Sequence, residues 1–199
     1  MKSIKLLGVA LVAALSFNAN AALMVDGGTD MAVAANNDLV TGTYNIGGNL
    51  KFDDMYSAVK FTYLGKEAAY NNDFNAYGNS LNNIGNSVGD SFTAWNVGTT
   101  GATDQLMGFN FYSNSVAAGI ANGANQPYNS FQSFAIMLDY TFGGVFYDAV
   151  LLFDDSGFGP DDNHDDMVIG VNVYVPEPGS IALLGLGLVG LGLSRRKQK

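Results

Sequence analysis

The sequence predicts an all-β protein, a single antiparallel β-sandwich-like domain enclosed by two segments that do not belong to its fold. Three observations carry that reading. Short aromatic and β-branched runs alternate with clusters of Gly, Asn, Asp, Ser and Thr, and 25 glycines are spread along 199 residues. No long apolar pattern of helical period occurs. Residues 134–142 alternate in the two-residue period of a strand and run into Gly143 and Gly144, a turn pair.

Residues 1–21 read as a signal peptide. Lys2 and Lys5 form a positive start, residues 6–17 an apolar stretch, and Ala19 and Ala21 bracket a small-residue cleavage site. The expected handlers are the Sec translocon and signal peptidase, which leave a chain beginning at Ala22. Residues 22–174 then form one β-rich domain, long enough to bury a core.

Within it, Tyr44, Asn45 and Ile46 followed by Gly47 and Gly48 predict a strand end and a turn. Residues 59–64 alternate as a half-buried strand does, and residues 68–89, rich in Asn, read as a long surface loop or one short strand. Residues 91–97 continue the strand pattern, with Phe92 and Trp95 as core aromatics. Residues 106–112 are apolar at nearly every position and predict a buried strand. Phe134, Ile136, Leu138, Tyr140 and Phe142 are expected on one face of a strand that pairs with residues 145–153 through the glycine turn. Residues 168–175 close the domain.

Charge narrows the partners. In the domain only Lys51, Lys60 and Lys66 oppose seventeen acidic residues, so no nucleic-acid partner is expected, phosphate binding being a matter of basic surface. Such acidity suits divalent cations and life outside the cell. Cysteine is absent, so disulfides contribute nothing.

The one constellation with chemistry spans residues 154–166, which hold six carboxylates, an amide and the single histidine of the chain. Like charges at this density repel unless something offsets them, and hard oxygen ligands in a loop bent by Gly and Pro suit calcium. Asp161, Asn163 and Asp165 have the alternate-ligand spacing that opens an EF-hand, but Asp166 stands where that loop needs glycine and Asn172 where it needs glutamate. A different calcium geometry is expected, with Asp154 and Asp155 meeting Asp161, Asn163, Asp165 and Asp166 across the loop. Two alternatives stay open: a solvated acidic turn that caps its own backbone, and a transition-metal site through His164.

No catalytic residue is expected. A cysteine nucleophile is impossible, no nucleophile-elbow sequence lies near His164, and Glu67 beside Lys66 reads as a surface pair, not as half of a glycosidase dyad. No organic cofactor is expected either: Gly185, Gly187 and Gly190 spell a dinucleotide pattern with no preceding strand and no acidic residue downstream. Aromatic faces offer another chemistry, sugar binding, for which Tyr70 and Tyr77 in the Asn-rich stretch are the better candidates.

The last segment, residues 175–199, has three parts in order. Val175, Pro176, Glu177 and Pro178 hold the chain extended; residues 180–193 form an apolar run studded with glycine; Arg195, Arg196 and Lys197 stop it. The run is shorter than the roughly 20 residues that a spanning helix needs, which makes it a weak, temporary transmembrane anchor. This arrangement resembles the PEP-CTERM sorting signal of Gram-negative bacteria. The resemblance implies an exosortase as partner, a transient inner-membrane intermediate, cleavage near Pro176 to Pro178, and delivery to the cell surface or the extracellular matrix. The acidic segment is similar to those placed before such signals, where a structural or calcium-binding role is implied. The function expected is that of an exosortase-processed surface or exopolysaccharide-matrix protein with a structural or interaction role and a calcium-binding loop; the alternative is a carbohydrate-binding module for extracellular polysaccharide.

Overall fold

The computed structural model describes residues 23–53, 58–67, 69–97, 105–125, 132–156 and 163–174. Among these there are twelve strands and no helix: β1 (Leu23–Ala32), β2 (Thr43–Phe52), β3 (Ala58–Gly65), β4 (Asn72–Ala76), β5 (Asn79–Asn82), β6 (Ser91–Trp95), β7 (Gln105–Leu106), β8 (Phe109–Ser113), β9 (Ala118–Ala121), β10 (Ser133–Phe142), β11 (Val145–Asp154) and β12 (Met167–Tyr174). They form two antiparallel sheets. The larger runs β1-β2-β10-β11-β12-β3-β6, with β7 also pairing β2, and the smaller runs β5-β4-β8-β9. The expected all-β, sandwich-like architecture is what the chain adopts.

Alternation fills the space between the sheets. Phe74, Phe109 and Phe111 from the small sheet meet Phe61, Phe134 and Phe153 from the large one. The rings of Phe111 and Phe153 lie stacked, 4.8 Å between centroids and 4° from parallel. A second cluster covers the opposite face of the large sheet, where Val40 and Tyr44 join Ile46, Met137, Val150, Leu152 and Val168. Asn37 shapes the segment that covers this face, its Oδ1 accepting the Leu39 and Val40 N–H groups.

Two hairpins change faces partway along. In β10, Phe134 and Ile136 enter the inter-sheet core, whereas Tyr140 and Phe142 pack on the second cluster. The single expected face for these even-numbered residues is therefore corrected. Between them Asp139 adopts a left-handed φ of 51° and resets the pleat. Gly47, with φ 74°, does the same in β2, separating Tyr44 and Ile46 from Leu50 and Phe52. Gly47 and Gly48 thus lie inside a strand, not at a turn.

Three other expectations change. Residues 68–89 hold the β4–β5 hairpin, turned at Tyr77 and Gly78, which have positive φ. Residues 106–112 are two strands, because the chain leaves the large sheet after β7 and enters the small one at β8. Trp95 is 72 % exposed, since β6 is an edge strand that turns Phe92 and Ala94 inward. The hairpin of β10 and β11 and the closing strand β12 form as expected.

Candidate functional site

Gly143 and Gly144 fix the register of β10 against β11, which sets Ser133 opposite Asp154 at the far end of the hairpin. There β11 ends, β12 begins with Met167 facing Phe153, and the described parts of the acidic loop gather. Asp154, Asp155, Asn163, His164, Asp165 and Asp166 are all buried. Burial corrects the solvated part of the turn reading for these residues, whereas the expected capping of the local backbone is met at Asp155 and Ser156; residues 157–162 lie outside the described residues. The segment 36–38 reaches the buried residues through hydrogen bonds with Asn163 and Asp165.

Their hydrogen bonds tie distant parts of the chain together. Asp166 Oδ2 accepts the Asp155 N–H at 2.8 Å, and Asp154 Oδ1 accepts the Ser156 N–H at 2.9 Å. Asp165 Oδ2 accepts the Asp38 N–H at 3.3 Å while its carbonyl takes the Glu67 N–H at 2.9 Å. The Asn163 carbonyl accepts from Asn37 Nδ2 at 2.7 Å, and the Asn163 amide donates to Glu67 Oε2 at 3.3 Å. Glu67 is exposed, in keeping with its surface reading, and it reaches this hub through its N–H and Oε2. His164, with φ 57°, places Nε2 2.9 Å from Ser133 Oγ and its ring 5.5 Å from that of Tyr44.

The small sheet closes one side. Asn72 is fully buried in β4 and donates through Nδ2 to Asp155 Oδ2, while its backbone N–H donates to Asn83 Oδ1 at 2.9 Å. Among the described residues, Asn72 Oδ1 has no hydrogen-bond partner, nor has the Oγ of Ser113, its fully buried cross-strand neighbour in β8. An unspent oxygen thus stands on Asn72, which bonds to the acidic hub, and another on the strand beside it. Among the described residues, no group of three His, Asp or Glu side chains stands arranged to hold a metal. Asp161 lies outside the described residues, as do Ala19, Ala21, Pro176, Glu177, Pro178, Arg195 and Arg196.

Asn37, Glu67, Asn72, Asn83 and Ser133 escape a reading of the sequence because they reach the loop from up to 126 residues away, the separation of Asn37 from Asn163. Only Ser133 had a signal: a two-residue turn at Gly143 and Gly144 puts it opposite Asp154.

A second feature lies on the outer face of the small sheet, a groove of about 750 Å³. Ser80, Asn75 and Asn110 form a row across β5, β4 and β8, and Tyr112 stands beside Gly119 of β9. Tyr77 borders the groove, its hydroxyl accepting the Gly108 N–H at 3.1 Å and its ring lying against Gly108, where a Cβ would come within 3.4 Å. Burial pushes the Tyr77 phenol above its ordinary value, partly offset by that N–H. Tyr70, also exposed, does not line this groove.

Among the described residues no helix is long and apolar enough to cross a membrane, and the apolar run 180–193 lies outside them. No curated protein and no solved structure matches the chain. Residues 175–197 match the model of the PEP-CTERM protein-sorting motif, and the chain thereby carries at its C-terminal side the signal of an exosortase-processed protein exported to the cell surface of Gram-negative bacteria.

Proposed function

We propose that the protein is a structural component of the cell surface or extracellular matrix whose acidic hub takes up calcium, and that it is not an enzyme. The observation that carries the calcium reading is the burial of Asp154, Asp155, Asp165 and Asp166 around one strand end. Interior carboxylates are costly unless donors, protons or a cation neutralise them. Asn72 Oδ1 and Ser113 Oγ add neutral oxygens of the kind that calcium accepts among its 6–8 ligands. Asp154 and Asp155, with Asp161, Asn163, Asp165 and Asp166, would hold the ion and lock β11, β12 and the 36–38 segment together. The test is a thermal melt of residues 22–175 with calcium and with chelator. A higher melting temperature with calcium, lost in the Asp161→Ala, Asp165→Ala double variant, supports the reading.

The groove favours a second reading, polysaccharide binding. Sugar rings stack on aromatic faces, and Asn side chains both donate to and accept from hydroxyls. Tyr112 and Tyr77 supply the faces, Asn75 and Asn110 the amides. Saturable retention on the exopolysaccharide of the producing bacterium, weakened in Tyr112→Ala, tests it.

A further inference from the structure

The end of the large sheet opposite the acidic hub is the end from which the chain leaves for its sorting segment. Tyr174, the last residue of β12, pairs with Ala58 of β3, and Ala58 pairs with Trp95 of β6. Val59, Ala94 and Val173 point into the inter-sheet core, so Tyr174 and Trp95 lie on the opposite face of the sheet, flanking Ala58, which is itself fully buried. Tyr174 is 47 % exposed and Trp95, the single tryptophan of the chain, 72 %. Beside them lies the β10–β11 turn, where Val145 and Phe146 are both more than half exposed; the Asn172 amide reaches the Phe146 carbonyl at 3.1 Å. Lys60, the cross-strand partner of Asn172 and of Thr93, adds a cation next to this row.

We propose that this end of the domain is a membrane-docking surface, lying in the headgroup region of the bilayer while the apolar run 180–193 is embedded in it. Tyr and Trp are the side chains that settle at a bilayer interface, their rings in the apolar zone and their polar atoms in the wet one. Reach decides the matter of occupant. Ser180, where the apolar run starts, is six residues beyond Tyr174, so the chain between them spans at most ~20 Å. A domain tethered that closely to an embedded segment holds its exit end against the lipid. The acidic hub sits at the other end of β12, some seven residue steps or ~23 Å away, which keeps its carboxylates clear of anionic headgroups. It also places the hub far from the terminus that processing would create.

This proposal rests on the reading that residues 180–193 insert into lipid, and its test separates the two. The chain of residues 22–199 is bound to phosphatidylcholine vesicles, recovered by flotation, and read through the emission of its single tryptophan. The expected result is flotation together with a blue-shifted Trp95 emission, quenched to roughly half by lipids brominated near the top of the acyl chain, as an interfacial ring would be. Residues 22–174 with the same vesicles should neither float nor change emission. Flotation with a water-like, unquenched Trp95 overturns the docking surface alone. Failure to float overturns it together with the insertion on which it depends.

Discussion

Ser133 Oγ and His164 Nε2 stand 2.9 Å apart in the interior, joining the first residue of β10 to the loop that precedes β12. The contact closes the hub from the hairpin side. Ser133→Ala leaves a buried ring nitrogen short of this partner and should cost about 1–3 kcal/mol in urea unfolding. His164 has φ 57°, so His164→Asn keeps a residue type that tolerates this backbone and should be less damaging than His164→Val. Equal losses for Asn and Val would show that the backbone conformation is not what the position demands.

Asp139 and Asp148 lie between the cross-strand pairs Leu138–Ala149 and Tyr140–Tyr147, where the β10–β11 hairpin changes face. Burial holds the Asp148 carboxyl above the usual carboxylate range and repulsion from Asp139 adds to this, against the lowering effect of the Val173 N–H and the Asn172 amide. A folded-state pKa above the unfolded one means that the native protein binds this proton more tightly. The Asp148 contribution to stability is therefore full below the unfolded pKa and is lost as pH rises through the folded one. Asp139→Asn keeps a side chain suited to positive φ and removes the repulsion. It should raise stability at neutral pH by up to about 1 kcal/mol, and less at pH 3. Denaturant titrations at the two pH values measure the difference; a gain that does not depend on pH contradicts the electrostatic cause.

The Tyr147 ring lies over Gly170, where a Cβ would approach ring atoms to 2.4 Å. Gly170→Ala should destabilise by about 1–3 kcal/mol through overpacking. Tyr147→Ala in the same chain should recover part of that loss. A double-mutant cycle with no coupling would separate the two sites.

On the groove, Tyr112→Ala should weaken retention on exopolysaccharide by up to about tenfold, in keeping with the stacking energy of one aromatic face. Tyr70→Ala, outside the groove, should leave retention unchanged. Affinity electrophoresis of the two variants distinguishes a site on this sheet from general stickiness.

Much of the fold was legible where alternation is local. Residues 145–153 and 168–174 read as strands because both of their faces are covered by apolar clusters. The face change was not legible, since Asp139 and Gly47 alter backbone conformation without breaking the two-residue pattern of apolar side chains. The β4–β5 hairpin was hidden because Asn72, Asp73, Asn75 and Asn82 look like loop residues, yet their polarity belongs to the groove face and to the buried hub. Trp95 misled for the opposite reason: its size suggests core, but an edge strand leaves its outer face open. The acidic loop announced itself by composition, whereas the setting of its described residues depends on Asn37, Glu67, Asn72 and Ser133, which only the tertiary fold brings there.

The most direct test of the account is the thermal melt of residues 22–175 in millimolar calcium and in chelator. Calcium bound at the hub stabilises the native state by mass action, so the melting temperature should rise by several degrees with calcium, and Asp161→Ala with Asp165→Ala should abolish the rise. Superimposable melting curves with and without calcium would contradict it.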